Sequence, residues 1–103
     1  MAQQYYLRRQ VIETFGFEED FLVELETEEL IYTVKVDTTP ERVYPPDQFE
    51  RLRVIYNLIN DLDVNLPGVE VILGMRENMI RMQKQFDSIL ETLVQELKGR
   101  LAE

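Results

Sequence analysis

The 103-residue sequence predicts a mainly α fold: a winged helix-turn-helix with a small β-hairpin wing, followed by a long C-terminal dimerisation helix. Three observations predict it. Apolar residues recur at helical spacing on both sides of Gly16, "LIYTVKV" is dense in β-branched and aromatic residues, and no proline follows Pro67.

Leu7, Val11, Ile12 and Phe15 form one apolar face, so roughly residues 5 to 15 read as a first helix that ends at Gly16, a C-cap residue. Phe17 then starts a tight connection. Residues 18 to 26 read as a second helix, because Glu18, Glu19 and Asp20 suit the positive end of a helix dipole and Phe21, Leu22 and Leu25 supply a buried stripe. Two short helices joined at a glycine make a helix-turn-helix. From Leu30, "LIYTVKV" and the turn-like "DTTPERVY" predict a hairpin. Pro45, Pro46 and Asp47 open a third helix whose apolar face is Phe49, Leu52, Ile55, Tyr56, Ile59 and Leu62. Asn65 is placed to cap a fourth, with Pro67 in its first turn.

A helix over 67–101, with Gly74 as the place for a bend, would extend about 50 Å at ~1.5 Å per residue. That exceeds the roughly 30 Å breadth of a globule this size. The chain therefore divides into a winged helix-turn-helix-like domain, 1–66, and a C-terminal helix, 67–103, that forms a coiled-coil dimer interface. Its seam is Ile72, Met75, Met79, Met82, Phe86, Ile89, Leu93 and Leu97, spaced by threes and fours. A symmetric homodimer is expected.

Composition narrows the chemistry. No Cys or His is present and Ser88 is the single serine, which removes thiol and imidazole catalysis, disulfides and the usual zinc ligands. No acidic cluster has EF-hand spacing, so neither metal nor cofactor is expected and the chain reads as no enzyme. The polar N-terminus "MAQQYYLRRQ" and the lack of an apolar run near 18 residues point to a cytoplasmic protein with no membrane partner. A net charge of -9 repels phosphate backbones and favours basic partners. The acids concentrate in "FEEDFLVELETEELIYTV", residues 17 to 34, where seven carboxylates stand without a lysine or arginine.

The order of these elements resembles the MerR family of dimeric winged-helix regulators. "YLRRQVIETFGF" followed by "EEDFLVELETEELI" is similar to that family's helix-turn-helix, and "RVYPPDQFERLRVIYNLINDLDVNLPGVEVIL" to its second helix pair. "DVNLPGVEVIL" is close to heat-shock-repressor-like members. In DNA-binding members the second helix carries arginines and tyrosines, whereas the matching positions here hold Asp20, Val23 and Glu24. The branch that shares this departure is the CbpM-type chaperone modulators, which resemble MerR regulators but bind the J-domain of a DnaJ-like co-chaperone.

That resemblance implies a non-enzymatic modulator whose acidic helix covers the basic J-domain helix and competes with Hsp70 for it. Glu19, Asp20, Val23 and Glu24 are the expected partner-binding residues. Helical spacing puts Asp20, Val23, Glu24 and Thr27 on one face. The rival expectation is a heat-shock-repressor-like DNA-binding transcriptional regulator. In that reading Arg42 and Tyr44, a wing R-x-Y pattern, and Arg51 and Arg53 of "FERLR" would touch the duplex. DNA is a partner only under that alternative.

Overall fold

A computed structural model describes residues 4–102. Helix α1 spans Arg8–Phe15, α2 Glu19–Thr27, α3 Pro46–Asn60 and α4 Leu66–Leu101; strands β1, Val34–Val36, and β2, Thr39–Val43, lie between α2 and α3. The mainly helical winged helix-turn-helix with a long last helix is therefore present. The chain forms two compact units, one ending at Val69 and the other starting at Glu70.

Helix α1 starts later than its apolar spacing predicts. Tyr6 pairs with Tyr44 instead, exchanging backbone hydrogen bonds of 3.0 and 2.8 Å, which extends the hairpin edge and holds Tyr6 out of the helix. The Gln10 side-chain oxygen accepts the Leu7 amide at 2.7 Å and so satisfies one orphan donor at the helix start. At the other end Gly16 takes φ 74° and its amide donates to the Ile12 carbonyl at 2.7 Å. This left-handed conformation is open to glycine without a Cβ penalty, and it turns the chain into α2.

The hairpin is antiparallel, with Val34 opposite Val43 and Val36 opposite Thr39. The expected strand start at Leu30 is corrected: Leu30 and Ile31 are buried plugs in the connection, preceded by Glu29 at φ 59°. Pro46 occupies the first turn of α3, and Phe49, Leu52, Ile55 and Leu58 enter the core. Leu62, predicted on that face, lies beyond the helix and is 67% exposed, so Leu58 takes its place.

The core of the first unit joins Val11 and Phe15 of α1 with Leu22 and Leu25 of α2, Val43 and Tyr44 of the wing, and the α3 residues. Aromatic contacts tie the N-terminal segment and α1 to α3. Tyr6 stacks on Phe49 with centroids 3.9 Å apart, and Phe15 lies 5.2 Å from the same ring. Asn65 caps α4 as its sequence position predicts, its Oδ1 accepting the Gly68 amide at 2.9 Å. The helix then runs unbroken through Gly74.

Candidate functional site

The acidic face is built by α2. Leu22 and Leu25 are fully buried, which fixes the rotation of the helix and turns the opposite side to solvent. Asp20, Val23, Glu24 and Thr27 all lie on that exposed side, and Val23 is 45% exposed. Glu19 and Asp20 occupy the first turn, where the backbone amides favour negative charge. Thr27 returns its hydroxyl to the Val23 carbonyl at 2.8 Å and so offers no free donor outward. Neither Asp20 nor Glu24 has an ion-pair partner among the described residues.

Glu19 differs from its neighbours. It stands 3.6 Å from Arg8 of α1, at the flank of the face. Glu26 turns further inward and accepts a 2.7 Å hydrogen bond from the same guanidinium. The buried Tyr44 hydroxyl lies beside this pair without a hydrogen bond of good geometry. Burial raises the Tyr44 phenol above its ordinary pKa of 10.0, and Glu26 adds to the rise. Burial would lower the Arg8 value, but Tyr44 and Glu26 outweigh it and hold the guanidinium above its usual range. Glu26 belongs to the acidic run of residues 17 to 34, yet it turns inward. The signal that separates it is its spacing of four from Leu22, which puts it on the edge of the buried stripe.

The four residues expected to touch DNA are placed differently: Arg42 and Arg53 are exposed, Arg51 is half-buried and Tyr44 is buried. Tyr44 is fully buried, which corrects its expected contact with a duplex: β2 ends at Val43, and consecutive Val43 and Tyr44 both point into the core. Arg42 donates through Nε to the Thr33 hydroxyl and through Nη2 to the Thr33 carbonyl, both at 2.8 Å. Arg51 donates to the Leu30 carbonyl and so closes the α2–β1 connection onto α3. Arg53 stands 3.5 Å from Glu50 and lies over the Phe15 and Phe49 rings.

In the second unit, every residue from Met75 to Ala102 is exposed. Met75, Met79, Met82, Phe86, Ile89, Leu93 and Leu97 are each at least half exposed, with Ile72 intermediate. The stripe widens toward its end, where Leu90, Val94 and Leu101 flank the predicted seam. No group of acids among the described residues stands close enough to hold a metal ion, and no described helix is long and apolar enough to cross a membrane.

A family model described as MerR HTH family regulatory protein matches residues 6–91. The chain belongs to the MerR HTH family of regulatory proteins. No curated protein and no solved structure matches it. MerR family membership accounts for the helix pair, the wing and the helix that follows them. It makes the chain a regulator or a related modulator, in a family of regulatory rather than enzymatic proteins.

Proposed function

We propose that this MerR-family chain is a non-enzymatic modulator of a DnaJ-like co-chaperone. As a homodimer paired through α4, it binds the co-chaperone's J-domain with the acidic face of α2 and competes with Hsp70 for the same basic helix. One observation carries the reading. The second helix of the helix-turn-helix, the element that would meet a duplex, presents unpaired Asp20 and Glu24 around an exposed Val23 and contains no base. Phosphate neutralisation supplies most non-specific DNA affinity, and this face supplies its opposite. Opposite charge on a protein surface steers association, while the apolar centre gives the contact a dry anchor.

Family membership favours a second reading, DNA-binding regulation. The engaged guanidiniums of Arg42 and Arg51 and the burial of Tyr44 weigh against it. The uncovered α4 stripe supports pairing, since a helix with an apolar face this long is stabilised by tertiary or quaternary packing rather than by propensity.

Calorimetric titration of the purified chain with an isolated J-domain tests the function. Micromolar or tighter binding that weakens as salt rises is expected. No J-domain binding, together with sequence-specific retention of promoter DNA, establishes the regulator reading instead.

A further inference from the structure

We propose that an aromatic recess at the turn of the helix-turn-helix is an arginine anchor, receiving one arginine side chain from the basic helix whose other charges meet Asp20 and Glu24. This deepens the J-domain reading and takes the partner's class from it. The recess has a volume of about 320 Å³ and is lined by Phe17, Glu18, Phe21, Tyr56, Ile59 and Asn60, among others. Phe17 is its hinge. Its ring lies 5.2 Å from Phe21 and 5.9 Å from Tyr56, the latter in edge-on geometry at 69°. Phe17, Phe21 and Tyr56 are only half-buried, so part of each ring remains open to a ligand.

The rim gives the recess its charge preference. Glu18 belongs to the lining, and Glu24 of α2 and its C-cap Glu28 follow Phe21 at three and seven residues. Aromatic faces bordered by carboxylates suit a planar guanidinium, which stacks on rings through its weakly hydrated faces and donates in its plane to acids. Lysine, a compact and strongly hydrated charge, fits such a site less well. The same aromatic cluster already holds one guanidinium in this manner. Arg53 lies 5.8 Å over Phe15 and 5.5 Å over Phe49 while standing 3.5 Å from Glu50. The recess offers the same combination of aromatic rings and a carboxylate. A nucleic acid is disfavoured there, because the named lining has an acid and no base.

The test titrates the full chain with two synthetic amphipathic helical peptides that differ at one central position, arginine in one and lysine in the other, with lysine supplying all remaining charge. The arginine peptide should bind roughly tenfold more tightly. Phe17→Leu and Phe21→Leu keep apolar bulk but remove the ring faces, and each should bring the two affinities within about threefold of one another, with folding checked by thermal melting. In the unaltered chain, the ring-proton resonances of Phe17 and Tyr56 should move with the arginine peptide and not with the lysine peptide. Equal affinities, or an arginine preference that survives both substitutions, overturn the anchor. An isolated J-domain forms the second arm. If it fails to bind while the arginine preference holds, the anchor stands and the J-domain reading falls. If it binds with no arginine preference and no effect of either substitution, the anchor falls and that reading stands.

Discussion

The Arg8 guanidinium of α1 donates to the Glu26 carboxylate of α2 at 2.7 Å, next to the buried Tyr44 hydroxyl. Two helices and the wing meet there. The contact shows that the acids of α2 divide into a structural inner member and an outer set whose charge faces solvent. Glu26→Ala should therefore destabilise the fold by about 1–2 kcal/mol, leaving a half-buried guanidinium without its hydrogen-bonded acceptor and with only the looser Glu19 nearby, and lower Tm by roughly 5–10 °C. Asp20→Ala should change stability by no more than ~0.5 kcal/mol. Thermal and urea denaturation of the two variants would distinguish them.

Alkaline pH should act on the same junction. The folded state holds the Tyr44 proton more tightly than the unfolded chain, so its contribution to stability is fully present below the ordinary value of 10.0 and is lost as pH rises beyond it. Stability measured across that window should decline, and Tyr44→Phe should make the decline shallower. An unchanged slope in the variant would remove Tyr44 from the account.

Glycines on one helix should respond with opposite sign. A Cβ at Gly68 would stand 2.8 Å from the Val64 side chain and 3.1 Å from the capping Asn65 Oδ1, so Gly68→Ala should destabilise despite alanine's better helix propensity. Gly74 has open space around that position, and Gly74→Ala should stabilise by about 0.5–1 kcal/mol. Urea midpoints would show both effects. Gly16→Ala meets no atom but must adopt φ 74°, and should destabilise by about 1–2 kcal/mol.

Local chemistry made most of this fold legible. Gly16, the proline pair that opens α3 and Asn65 act through their own backbone or the next turn, and each does what its sequence position implies. The departures are set by residues distant in sequence. Tyr6 leaves the predicted first helix because Tyr44 offers it a bridge, and no local pattern foretells that partner. The R-x-Y pattern places Tyr44 at a duplex under the DNA-binding reading, yet Val43 and Tyr44 are buried in succession at the end of β2. On α2 the period of 3.6 places Asp20, Val23 and Glu24 outward, but the split between Glu26 and its neighbours depends on Arg8, eighteen residues earlier. The aromatic recess escaped the sequence for the same reason, since Tyr56 joins Phe17 and Phe21 from another helix.

Self-association should depend on the exposed stripe of α4. Phe86→Glu or Leu93→Glu places a charge on the seam in both copies of a symmetric pair. Each should raise the dimer dissociation constant by roughly a hundredfold or more, given about 1.5–3 kcal/mol for each buried large apolar side chain. Sedimentation equilibrium reads this directly, and an unaltered molecular weight in both variants would exclude the seam.

The measurement that tests the central claim most directly is J-domain binding by the double variant Asp20→Lys and Glu24→Lys, set beside the unaltered chain at low and moderate salt. The account predicts that charge reversal weakens binding at least tenfold, abolishes most of its salt dependence and relieves competition with Hsp70. Equal J-domain affinity for both proteins would contradict it, as would sequence-specific DNA binding by the unaltered chain through this same face.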